Sequence, residues 1–217
     1  KTQEYASKAL EFLASDCVEN QVALAQEKAW QPLVALLGSE SAETQESAAA
    51  ALLCLASHAD SRNVVVKRVV ATLEDKSTAA QLKAAEALAV LSSRSATNRH
   101  AIVSAGAIAP LVGLLGHGSM AEPKTPPERA ACVLADLARL SEAKTGIAAA
   151  GGIPPLIAML SSGTEASETH AATALWHLSA AGDNKVAIAA SSDAIAKFVH
   201  LLRVGSQEGR RYAAGAL

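Results

Sequence analysis

Two histidines seven positions apart, His170 and His177, and three cysteines, Cys17, Cys54 and Cys132, have the side-chain types for metal ligation or nucleophilic attack. On a helix the two histidines share a face two turns apart, a reach too long for joint ligation, and no third ligand accompanies them. The cysteines are odd in number and lack the C-x-x-C spacing of a metal or redox site. They suit a reducing, intracellular compartment, and a cytoplasmic location is expected. The chain contains no G-x-S-x-G, no H-E-x-x-H and no G-x-x-x-x-G-K-[ST]. Paired carboxylates such as Glu74-Asp75 fall in polar loops and read as solvated. No catalytic, cofactor-binding or metal-binding residue is therefore assigned, and the chain is not expected to be an enzyme.

What could position a binding surface is a repeat. The motif Ala-x-x-x-Leu-x-x-Leu occurs at Ala6/Leu10/Leu13, Ala48/Leu52/Leu55, Ala84/Leu88/Leu91, Ala130/Leu134/Leu137 and Ala171/Leu175/Leu178, and begins again at Ala213/Leu217. Its central leucines are 42, 36, 46, 41 and 42 residues apart. A near-fixed period in this range signals a solenoid of stacked helical units. At about 100° per residue, the Ala and both Leu of each copy fall within about 60° of arc, giving a long amphipathic third helix in each repeat. Before it stands an apolar block with proline at its start: Pro32-Leu33-Val34-Ala35-Leu36-Leu37, then Pro110-Leu111-Val112-Gly113-Leu114-Leu115, then Pro155-Leu156-Ile157-Ala158-Met159-Leu160. Proline tolerates the first turn of a helix, where its missing N–H has no partner to lose. Upstream, Ala105-Gly106-Ala107 and Ala150-Gly151-Gly152 mark a bend after a short first helix, with glycine supplying the left-handed residue.

The run from Asn98 through Ile108-Ala109-Pro110-Leu111-Val112, and Asn184-Lys185-Val186-Ala187-Ile188, resemble armadillo repeats, and the resemblance covers essentially the whole chain. It implies an all-α, right-handed armadillo solenoid of about five repeats. A single domain spanning residues 1–217 is expected: a partial copy at 1–19, then copies at 20–61, 62–97 (shortened), 98–142 (with a loop insertion), 143–183 and 184–217 (incomplete). The chain begins and stops within third helices, so it reads as an excerpt of a longer array. Both end helices should present apolar stripes that need covering. In the shortened copy, Asn63 to Leu73 spans 10 residues where Asn20 to Leu37 spans 17. The bend is missing there, and the first helix is expected to collapse into a connector. The 116–127 segment, with three prolines and two glycines, reads as an enlarged surface loop. Ser191-Ser192-Asp193 replaces the usual Ala-Gly and is expected to bend with side-chain capping.

Stacked third helices line the inner face of an armadillo array, and the helical angles give their outward positions. One series is Lys8, Ala50, Glu86, Cys132, Thr173 and Gly215; four residues on stand Phe12, Cys54, Val90, Asp136 and His177; three before stand Tyr5, Ser47, Lys83, Arg129, His170 and Tyr212. Import adaptors of the importin-alpha type carry Trp and Asn ladders at the first two series. None occurs here, which disfavours a nuclear-import role. Lys83, Glu86, Arg129, Cys132, Asp136, His170, Thr173, Trp176 and His177 are taken as the candidate partner-binding groove. Ten ångströms per helical layer gives a strip of roughly 20 Å, enough for about six extended residues.

The expected function is a non-enzymatic scaffold or adaptor for other proteins, an extended peptide segment or neighbouring subunits, within a cytoplasmic, cytoskeletal or flagellar assembly. The alternative is the substrate-recruiting arm of a larger enzyme such as a U-box ubiquitin ligase. A net charge of −2 gives no footprint for nucleic acid, and no apolar run is long enough for a membrane span. Far-ultraviolet circular dichroism should show a helical spectrum; substantial strand content would refute the fold assignment.

Overall fold

The computed structural model describes residues 1–116 and 122–217, and every regular element among them is an α-helix. The chain divides into two compact units, Lys1–Ala105 and Gly106–Leu217. The first contains α1 (Thr2–Ala14), α2 (Val18–Gln26), α3 (Trp30–Leu36), α4 (Ala42–Leu55), α5 (Ala59–Thr72), α6 (Thr78–Arg94) and α7 (Ala96–Ser104). The second contains α8 (Ile108–Leu115), α9 (Pro126–Leu137), α10 (Ser141–Ala149), α11 (Ile153–Met159), α12 (Glu165–Ser179), α13 (Gly182–Ala190), α14 (Ala194–Val204) and α15 (Gln207–Ala216).

The expected stripe is the core. In α4, α6, α9 and α12 the Ala and both Leu of the motif are at most 1 % exposed. Each third helix buries that stripe under the second helix of its own repeat, α3 on α4, α8 on α9, α11 on α12 and α14 on α15. Small residues beside the stripe, such as Ala51, Ala85, Ala131 and Ala172, are equally buried, so successive third helices approach closely: α1 with α4, α9 with α12, α12 with α15. The stripe of α1 is different. Ala6 and Leu13 are exposed, Leu13 to 52 %, and Leu10 is half-buried, because no second helix among the described residues covers that flank; the buried residues of the helix are Ser7 and Ala14.

Local chemistry sets where the helices start and stop. Ser41, Ser77, Thr164 and Ser206 each accept an amide hydrogen bond from the third residue beyond, capping α4, α6, α12 and α15. Pro126 and Pro127, read in the sequence as loop residues, instead form the buried first turn of α9. The remainder of the expected loop includes residues 117–121, which lie outside the described residues. At the bends before α8 and α11, Gly106 and Gly151 have φ of +82° and +78°. Lys28 adopts φ +61° at the corresponding bend before α3, where the sequence offers no glycine. Between α13 and α14, the Ser191 hydroxyl donates to the Ala187 carbonyl, but Asp193 does not cap α14; its carboxylate pairs with Lys197 at 2.9 Å.

The shortened copy also differs from expectation. Its first helix has not become a connector. Without a glycine bend, one uninterrupted helix, α5, stands where the other full copies have two. It packs against α2 and α7, both first helices, as well as against its third helix α6.

The asparagines that open first helices tie one element to the next. Asn98 Nδ2 donates to the Leu91 carbonyl at 3.0 Å, closing the turn between α6 and α7, and Asn20 makes the equivalent bond to Leu13 at 2.9 Å. Asn184 donates instead to the Lys144 carbonyl at 3.2 Å, joining α13 to α10. Asn98 is buried and Asn20 is exposed. Asn98→Ala should therefore lower unfolding stability by about 1–3 kcal/mol, the cost of an unpaired buried group, and Asn20→Ala by less. Urea unfolding midpoints of the two variants check this ordering.

Candidate functional site

The outward faces of α9, α12 and α15 hold most of the polar and aromatic groups singled out in the sequence. Arg129, Cys132 and Asp136 of α9, and His170, Thr173 and His177 of α12, are half-buried. They sit opposite the fully buried stripes of their helices, as the helical period requires. Trp176 of α12 retains 36 % exposure. Lys83, exposed, and Glu86, half-buried, lie on α6 in the first unit. Ser47, assigned to the same outward series, is buried where α4 meets α1, and its hydroxyl donates to the Glu43 carbonyl at 2.8 Å.

Trp176 is held on two sides. Its ring centroid lies 4.5 Å from that of His177 and 5.3 Å from that of Tyr212 on α15. A Cβ at Gly215 would come within 2.6 Å of Trp176 Nε1, so the indole rests on the α15 backbone where only glycine leaves room. Arg211 extends the cluster, its guanidinium 4.8 Å from the Tyr212 ring centre and donating to the Tyr212 hydroxyl at 3.2 Å. The indole therefore joins two layers and keeps a third of its surface for solvent or a ligand. Tyr212 falls in the outward series but was not among the candidate residues; its position relative to Trp176 emerges only once α15 is stacked on α12.

Burial dominates the electrostatics of this face. The Cys132 thiol is pushed up to about 11 by burial, reinforced by the Asp136 carboxylate, so it is protonated at neutral pH and is no nucleophile. His170 and His177 are both held below the ordinary histidine value. Burial is the leading cause for each, helped by Arg129 for His170 and by Arg139 and Lys144 for His177. Among the described residues no group of three or more His, Cys, Asp or Glu side chains converges as metal ligands would.

A cleft of about 660 Å³ opens between the first turns of α12 and α15, lined by Glu165, Thr169, His170, Ser206 and Glu208. The sequence reading missed the buried Glu128, next to Arg129 on α9. Its carboxylate accepts the Thr164 hydroxyl at 2.8 Å and the Lys124 amide at 3.3 Å, fastening the start of α12 to α9. Its signal was the acidic residue directly after Pro126-Pro127, in a first helical turn. In the first unit, a separate cleft of about 430 Å³ between α4 and α6 is floored by Ala49, Ala50, Leu53, Cys54 and Val90, with Glu46 and Arg94 at its edge. One face is thus mixed and polar around an aromatic cluster, and the other is mainly apolar with Glu46, Ser93 and Arg94 along it.

Comparison with known proteins places these faces in context. A family model described as the plant U-box protein ARM repeat region matches residues 2–217. No curated protein matches the chain. Among solved structures, an engineered protein is 30 % identical with a TM-score of 0.69, covering 100 % of this chain and 89 % of its own. A designed armadillo repeat protein is 24 % identical with a TM-score of 0.69, covering 99 % and 91 %. Another, solved in complex with the peptide (KR)4, is 24 % identical with a TM-score of 0.68, covering 98 % and 90 %.

The two depressed histidines make stability depend on pH. The unfolded chain takes up their protons first, near the ordinary value of 6.5. Their contribution is therefore complete above that pH and is lost as pH falls through the lower folded values. The melting temperature should be level from pH 8 to about 6.5 and fall on further acidification to pH 5. Replacing both His170 and His177 with Gln should flatten part of that decline; an unchanged profile would refute the assignment.

Proposed function

The chain belongs to the family of plant U-box protein ARM repeat regions, and from that membership we propose that it is a non-catalytic scaffold that captures other proteins on the outward faces of its third helices. The observation that carries the reading is Trp176. It is a large aromatic fixed between Tyr212 and the Gly215 backbone, yet it remains 36 % exposed among half-buried polar groups. Rigid, partly exposed aromatics are frequent energetic anchors of interfaces. Arg129, Asp136, Thr173 and the neutral histidines around it favour a polar polypeptide segment carrying an apolar residue. A designed armadillo neighbour binds a Lys/Arg peptide. Without the Trp and Asn ladders, this chain is a poor candidate for the same ligand and for nuclear import. Three free, half-buried cysteines suit an intracellular, reducing setting.

The family match favours one finer reading. As the ARM region of a U-box protein, the array would act as the substrate-recruiting arm of a ubiquitin ligase, with the chemistry performed by a domain outside these residues. Ubiquitin transfer to a captured protein by the intact polypeptide, lost on deleting the array, tests this directly.

Selection from a random peptide library against the chain should yield binders that Trp176→Ala weakens by about 2 kcal/mol or more. Glu40→Ala, on an exposed loop, should leave them unchanged. If Trp176→Ala lowers only the melting temperature and leaves binding intact, the residue is a packing element and the groove loses its anchor.

A further inference from the structure

Three cations gather round the Trp176 cluster, all within the second unit. Arg139 stands seven residues after Cys132, in the turn that ends α9. At about 100° per residue it falls within about 20° of the same outward line. Lys144 follows in the first turn of α10. Beyond the effect of burial, Arg139 and Lys144 both depress the proton affinity of His177, so both act within reach of that ring. On the far side of Trp176, the Arg211 guanidinium lies 4.8 Å from the Tyr212 ring centre and donates to the Tyr212 hydroxyl.

None of the three cations forms a salt bridge among the described residues. Arg139 and Arg211 are exposed, and Lys144 is half-buried. Asp136, the carboxylate that acts on His177, is already partnered. Glu165 and Glu208 face the cleft at the first turns of α12 and α15, away from the last turns of α9 and α12. The edge that carries Trp176 is therefore positive, and its charges lack counterparts. A guanidinium held against a ring keeps its planar N–H fork fixed, the geometry that receives a carboxylate.

The spacing narrows the partner further. Helix α12 packs between α9 and α15, so Trp176 occupies the middle layer, with Arg139 one layer to one side and Arg211 one layer to the other. Neighbouring layers are about 10 Å apart, the length of about three extended residues.

We propose that this strip recognises an acidic segment of a partner polypeptide, in which a large apolar side chain is flanked on each side, about three residues away, by Asp or Glu. The apolar side chain rests on the open surface of the Trp176 indole. One carboxylate pairs with Arg211, and the other pairs with Arg139 and Lys144. The inference rests on the Trp176 groove reading and adds the charge and spacing of the segment that fills it.

The chain has two tryptophans, so its proton–nitrogen NMR spectrum contains two indole signals, which Trp176→Phe assigns. The 217-residue chain is titrated with acetyl-Asp-Gly-Ser-Leu-Gly-Ser-Asp-amide and with counterparts in which both Asp are Asn or both are Lys. The acidic probe should shift the Trp176 signal saturably. The Asn probe should bind at least about fivefold more weakly, a difference of the size that exposed charge pairs produce, and the Lys probe more weakly still. Raising sodium chloride from about 0.05 to about 0.5 M should close the gap between the acidic and Asn probes. Arg139→Gln and Arg211→Gln, both at exposed positions, should each weaken the acidic probe by about threefold, with circular dichroism melts confirming that the variants fold. A Trp176 signal unmoved by the acidic probe, equal or tighter binding of the Asn or Lys probe, or undiminished binding to both folded Gln variants would overturn the proposal. Equal binding of all three probes that is lost in Trp176→Ala removes the charge inference and leaves the groove standing. Library binders indifferent to Trp176→Ala remove the groove and this proposal with it.

Discussion

Burial of the Ala-Leu-Leu stripe of each third helix beneath the second helix of the same repeat is the interaction on which the other features rest. A stacked array has no closed core, so each layer must remove its apolar surface from water against its immediate neighbours. The leucines of the stripe fill the space within a repeat, and the alanines beside them bring adjacent third helices close together. That division of labour explains a composition that is half hydrophobic yet only 3 % aromatic. Large rings would hold third helices apart, so the few aromatics sit where the layers leave room, such as Trp176 over Gly215.

With the stripe committed to the core, the opposite side of each third helix is free to vary without loss of fold. The polar linkers then need only end and begin helices at the correct residues. Ser and Thr caps start the third helices, and the side chain of Asn98 closes the following turn from inside. Glu128 does comparable work between layers, with one carboxylate oxygen on Thr164, itself the cap of α12. A buried carboxylate in that position couples the start of one third helix to the start of the next, and it registers the two outward faces against each other.

Most of the fold was legible in the sequence because its signals are local and repeated. The stripe, the glycine bends at 106 and 151 and the proline-led second helices each follow from a few neighbouring residues. The legible part of the site was equally local: helical angles alone placed Arg129, Cys132, Asp136, His170, Thr173 and His177 on outward faces. What the sequence did not reveal depends on neighbouring layers. Ser47 is buried because α1 covers it. Tyr212 reaches Trp176 because α15 stacks on α12. The missing bend in the 62–97 copy was visible, but one helix rather than a connector resulted, because Ala59–Thr72 contains no residue that interrupts helical hydrogen bonding.

That single helix also bears on how the first unit comes apart. In a one-dimensional array, a layer's resistance to opening is the sum of its own stability and its two interfaces. α4 meets α6 less extensively than it meets α1, but α5 also lies against α2 and α6 against α3, so the contact between these two layers is carried by several helices and not by the third helices alone. A helix that saves a bend in the sequence thereby moves the glue between neighbouring repeats from the inner layer to the outer one.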